Sequence, residues 1–178
     1  MLFDIHSCFI PECYLDTNLV EFLLGSPSSV NHTKGNGTVV AKMKDKFADS
    51  FAVGILDDDK RKLREIEGCD KIERLWRNGL KFFRHKCKQH YFILISPAIE
   101  KWILNESEKA EINLSKYELP VNIKEMKSIK GFTQRNDTKF KKLFHDMLLN
   151  EKCDEIMELK RWLLFLKENN YNTNIDLL

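Results

Sequence analysis

A short apolar run that ends in three consecutive carboxylates constrains this chain more than any other stretch. Phe51 to Leu56 carries Val53 and Ile55 and has the length and composition of a buried central strand. It stops abruptly in Asp57, Asp58 and Asp59, and Lys60, Arg61, Lys62 and Arg64 follow. Carboxylates crowded at the tip of a buried strand repel one another unless a cation neutralises them, and in open α/β sheets that tip is where ligands bind. Residues i and i+2 of an extended chain point the same way. Asp57 and Asp59 can therefore converge on one divalent ion while Asp58 is directed elsewhere. The alternative is a solvated loop in which Asp58 or Asp59 caps a helix.

Around this strand the chain alternates. Ile5 to Pro11 reads as a first strand, closed by proline and followed at once by Glu12, a second carboxylate at a strand tip. Asp16 or Thr17 is the expected cap of a helix carrying Leu19, Val20, Phe22, Leu23 and Leu24, which Gly25 stops. Ser28 to His32 is a weakly marked strand. The Gly35-Asn-Gly37 turn precedes a helix with Val39, Val40, Met43 and Phe47 on its apolar side, and no Gly-Lys-Ser/Thr follows, so it is not a P-loop. A basic helix from Lys60 to Glu67 and another from Asp70 to Trp76 are expected next. Leu80 to Phe83 reads as a short strand or a loop, and Tyr91 to Ile95 as a strong strand. Between these two, Arg84 to His90 forms a cationic hairpin or loop whose His85 and His90 lack zinc-site spacing. Pro97 is expected in the first turn of a helix with Ile99, Trp102, Ile103 and Leu104, which places Glu100 near its start. Such alternation predicts an α/β fold with a mostly parallel central sheet flanked by helices.

From about Asn105 the pattern turns helical. Helices are expected over Val121 to Ile129, Asp137 to Leu149 and Cys153 to Lys167, with a frayed tail from Asn169. Their aromatic stripes are packing faces. Residues 1–105 form the expected core domain and 106–178 a helical extension packed on it.

Composition narrows the class. With 178 residues, 43% hydrophobic and 31% charged, the chain suits one soluble domain, and its apolar runs are too short to span a bilayer. Five cysteines without a Cys-x-x-Cys pair argue against a disulfide framework or a structural zinc. The start, Met1-Leu-Phe-Asp-Ile-His6, lacks the features of a secretory signal, so the cytoplasm is the expected compartment. A net charge of +2 leaves affinity for nucleic acid to local patches.

Two of these segments together resemble a known family. Glu12-Cys-Tyr-Leu-Asp16, after a strand and before a helix ending in Gly25, is similar to the first motif of Toprim domains. Asp57-Asp-Asp59 after its apolar strand is similar to the second, an Asp-x-Asp. The likeness covers roughly residues 5–105. It implies a compact α/β sandwich whose acidic cluster binds Mg²⁺ or Mn²⁺ for phosphodiester chemistry. Glu12, Asp57 and Asp59 carry over as catalytic and metal-site residues, and Asp16 as a contributor. Cys13 stands where the family has glycine, and no glycine closely follows the Asp-x-Asp. With no nucleophilic-tyrosine module in the sequence, a nuclease is expected rather than a topoisomerase. The surroundings look most like the nuclease-type Toprim domains of the overcoming-lysogenization-defect group and related phage-defence proteins. In those a later carboxylate follows a strand, as Glu100 follows Ile95-Ser-Pro-Ala-Ile.

The resemblance implies a metal-dependent nuclease of DNA or RNA with antiviral defence as its setting. Two ions about 4 Å apart would activate a water and stabilise the leaving oxygen. Lys34, Lys60, Arg61, Arg84 and Lys86 are the candidate phosphate-holding cations, and His32, Lys34 and Lys60 the candidates for stabilising transition-state charge. The chain has no Walker A motif, so any ATP dependence would come from a separate ATPase subunit. The alternative is a non-catalytic Toprim-like subunit that binds nucleic acid or such an ATPase.

Overall fold

The computed structural model describes residues 8–26, 30–33, 36–58, 66–130 and 133–178. Five strands form one sheet: β1 (Phe9–Pro11), β2 (Ala52–Asp57), β3 (Cys69–Lys71), β4 (Leu80–His85) and β5 (His90–Ile95). Their spatial order is β1-β2-β5-β4-β3. β1, β2 and β5 run parallel, with Phe9 opposite Val53 and Asp57 opposite Ile95. β4 and β3 run antiparallel, Leu80 facing Ile95 and Cys69 facing His85. The architecture is thus α/β as expected, with a mixed sheet that is parallel in its central part. Every residue of β2 and β5 is buried, as strands covered on both faces must be.

Among the described residues six α-helices flank the sheet: α1 (Tyr14–Leu24), α2 (Asn36–Asp45), α3 (Ile99–Lys109), α4 (Ile123–Lys130), α5 (Thr138–Leu149) and α6 (Asp154–Asn169). Helix α2 lies on β2, where Gly54 admits it closely. A Cβ on Gly54 would stand 3.0 Å from Met43 Sδ and Phe92 Cδ1 and 3.1 Å from Val39 Cγ1. On the opposite face Phe82 meets Trp162 of α6 edge-on at 5.4 Å. α5 and α6 pack against α1, and one apolar cluster runs from Cys8 to Leu178. Residues 134–136 clamp α1: Asn18 Nδ2 donates to the Gln134 carbonyl (2.8 Å), its Oδ1 accepts from Asn136 N–H (2.7 Å), and Arg135 Nε donates to buried Glu21 (2.9 Å).

Several expectations need correction. Residues 69–76 do not form a helix but edge strand β3 and a 3₁₀ turn over Glu73–Leu75. Cys69, Asp70 and Lys71 find ladder partners on β4, and pairing overrides local propensity; a charged edge strand also resists pairing with another chain. Asp16 and Thr17 do not cap α1. Cys13 does, its sulfur accepting Asp16 N–H (3.5 Å) while the Asp16 carboxylate accepts Cys13 N–H (3.1 Å). Gly25 ends that helix as expected, at φ 63°. Residues 30–33 run beside β1 without forming a strand, Asn31 N–H donating to Phe9 O (2.9 Å) and Thr33 N–H to Pro11 O (3.2 Å). The Ser96–Pro97 peptide is cis and α3 begins two residues later, at Ile99. The tail is not frayed: Ile175 and Leu178 are buried, and Arg161 Nη1 donates to the Leu178 carbonyl at 2.6 Å. The expected basic helix falls largely outside the described residues, as do the start of the first strand and Gly35. Among the described residues no helix is long and apolar enough to cross a membrane.

Candidate functional site

Because β1, β2 and β5 are parallel neighbours, their C-terminal tips open at one end of the sheet, and each tip brings a carboxylate. Glu12 follows β1, Asp57 ends β2, and Glu100 lies in the first turn of α3, after β5. Glu12 is half-buried, whereas Asp57 and Glu100 are buried. Asp57 N–H donates to Glu12 Oε2 at 3.2 Å, and Asp57 Oδ1 accepts from Ile99 N–H at 2.9 Å. Ala98, at the N-cap of α3, supplies no side-chain cap. Asp57 therefore does that work from a neighbouring strand, placing its charge at the positive end of the helix.

Asp58 turns away from this group, as alternation along the strand requires. Its N–H bonds Ile95 O at 2.8 Å and its carboxylate pairs with Lys81 Nζ at 2.6 Å. Lys81 lies 5.4 Å from the centroid of the Trp76 ring. Asp16 is buried in the first turn of α1, one oxygen engaged in the capping box. Asp59, Lys34, Lys60 and Arg61 lie outside the described residues. Arg84 and Lys86 are exposed at the opposite end of the sheet: Arg84 pairs with Tyr91 in the register, and Lys86 Nζ is 3.9 Å from Asp70. The structure does not bring these two cations to the acidic tips.

His32 does lie beside β1, carried there by the backbone bonds of Asn31 and Thr33. The Tyr14 ring stacks on it at 3.9 Å and 11°. Thr17 Oγ1 donates to Cys13 O (2.7 Å) and sits 3.0 Å from His32 Nδ1. The hydroxyl's one proton is already committed, so Nδ1–H is the donor in the second contact. Lys42 Nζ reaches the His32 carbonyl at 3.4 Å, and burial, then Lys46, holds its pKa below the ordinary lysine value. Sequence reasoning missed Tyr14, Thr17, Lys42 and Lys81 here. The i, i+3 spacing of Tyr14 and Thr17 in one helical turn was the available signal.

All-carboxylate donors suit a hard divalent cation such as Mg²⁺ or Mn²⁺. Among the described residues no three His, Cys, Asp or Glu side chains form a group poised on one ion. The contact between Glu12 Oε2 and the Asp57 backbone N–H nevertheless brings these two acidic residues together. No family model, curated protein or solved structure matches the chain.

Proposed function

We propose that this protein is a Toprim-type nuclease, hydrolysing phosphodiester bonds of DNA or RNA with Mg²⁺ or Mn²⁺. The observation that carries the reading is the junction of Glu12 and Asp57 at the tips of adjacent parallel strands, with Glu100 following the third. Glu12, Asp57 and Asp59 would hold the metal, Glu100 and Asp16 contributing from the flanking helices. A bound divalent ion would supply an activated water and charge stabilisation at the phosphate. Asp57, fixed by Ile99 N–H, keeps one carboxylate edge in a constant orientation. Thr17 and Tyr14 hold the His32 imidazole on the α1 side of the site. The working setting is cytoplasmic antiviral defence, with a separate ATPase as partner. Both rest on family likeness.

The second reading is a non-catalytic Toprim-like subunit for nucleic acid or an ATPase. It is favoured by Asp16 and Asp57 each having an oxygen committed to a helix N-terminus. Incubating supercoiled plasmid, linear DNA and RNA with the protein in Mg²⁺, Mn²⁺ or EDTA separates the two. Metal-dependent cleavage that Glu12→Gln and Asp57→Asn abolish supports the nuclease. Folded protein with neither turnover nor Mn²⁺ binding refutes it.

A further inference from the structure

The end of the sheet away from Glu12 and Asp57 carries a cavity of about 450 Å³ that the acidic site does not use. It opens where β3 and β5 begin and β4 ends, against α2. Its floor is Val40, Met43 and Phe92, all buried. Its rim carries Lys44, Lys88 and His85. Lys44 and Lys88 make no ion pair among the described residues, and their two positive charges overlook an apolar floor. Burial first, then these two lysines, pushes the His85 pKa below its ordinary value. His85 Nδ1 accepts Cys87 N–H at 3.1 Å, which puts the proton of the neutral ring on Nε2 as a further donor. The buried wall residue His90 is engaged by the Phe47 carbonyl at 2.8 Å and adds no acceptor from that nitrogen.

Concave, largely apolar sites with a few polar groups at the mouth are the usual form of small-molecule pockets. Among the described residues the charged groups on the rim are the cations Lys44 and Lys88. We propose that this cavity binds an organic anion with a flat apolar body, of the size and charge of a nucleoside monophosphate. Lys44 and Lys88 hold the phosphate, and the base lies on Met43 and Phe92. The site is independent of the nuclease reading, because none of its residues belongs to the acidic tips.

Isothermal titration with adenosine and uridine monophosphates, adenosine and inorganic phosphate tests it. The nucleotides should bind, with adenosine and phosphate each weaker by roughly ten-fold or more, since each lacks half of the contact. Lys44→Gln with Lys88→Gln should lose about ten-fold or more in nucleotide affinity without loss of fold. Gly68→Trp should plug the mouth, because a Cβ on Gly68 meets nothing within 4 Å and its φ is open to side chains. Asp57→Asn should leave binding unchanged, whatever it does to cleavage. No saturable nucleotide binding, equal binding of inorganic phosphate, or full affinity in the double lysine variant would overturn the proposal.

Discussion

Replacing Asp57 by asparagine separates the two tasks that this side chain performs. As the acceptor for Ile99 N–H in buried surroundings, it caps α3, and an asparagine oxygen can keep that bond. Its charge also favours the positive end of α3, by about 0.3–1 kcal/mol, and is required only if a cation binds beside Glu12. Asp57→Ala removes the cap as well and should cost about 1 kcal/mol, which for a domain of this size lowers the Tm by about 2–4 °C. Without divalent ions, Asp57→Asn should melt close to the wild-type temperature, because the charge lost at the start of α3 is offset by relief of repulsion from Glu12, whose carboxylate touches the same residue's N–H. With ~10 mM Mg²⁺ and a Kd on the order of 1 mM, binding to the native state stabilises by about 1.4 kcal/mol. The wild-type Tm should therefore rise by about 3–6 °C, and that of Asp57→Asn should not. Differential scanning calorimetry in EDTA, Mg²⁺ and Mn²⁺ reads the wild type and both variants. An equal Mg²⁺ shift in Asp57→Asn would refute the reasoning. So would an apo Asp57→Asn protein melting as low as Asp57→Ala, since the charge itself would then be holding α3.

Glu155 accepts Gly79 N–H at 2.9 Å and the Trp102 indole N–H at 2.7 Å, both in buried surroundings. Glu155→Ala strands two donors and should cost about 3–5 kcal/mol in urea unfolding, a loss under about 1 kcal/mol counting against the account. Burial raises the Glu106 pKa, Lys109 opposing and Glu155 adding to the shift. The folded chain then keeps a proton that the unfolded chain releases, so stability falls as pH rises from the ordinary glutamate value to the raised one and then levels. Glu106→Gln should remove that part of the slope in urea midpoints measured against pH. Gly54→Ala forces a methyl against Met43, Val39 and Phe92 and should cost about 1–3 kcal/mol, read by thermal unfolding.

What the sequence made legible was local. Phe51 to Leu56 announces a covered strand by its composition, and the strand lies inside the sheet, second from one edge, with parallel neighbours on both sides. The i, i+2 geometry sent Asp58 away from Asp57, and its carboxylate indeed lies on Lys81. Gly25 stops α1 because a left-handed residue is required there. Pairing partners are not local. Cys69-Asp-Lys71 carries no strand pattern of its own, and only β4 makes it extended. The Cys13 cap was hidden for a related reason: a thiol is a weak acceptor, and its place at the head of α1 depends on the reciprocal bond from Asp16.

Strand direction then decides which charges can meet the acidic tips. Arg84 and Lys86 are close in sequence to β5, and a parallel β4 would have carried the end of that strand to the acidic end. β4 is antiparallel, so its last residues lie at the far end beside the apolar cavity, and its second residue, Lys81, comes to the acidic end instead. Lys81 is already engaged by Asp58. On the α1–α2 side, Lys42 reaches the His32 carbonyl, and His32 is braced by Tyr14 and Thr17. The topology thus sets Glu12 and Asp57 where the parallel strands finish and carries Arg84, Lys86 and Lys88 to the end where they begin.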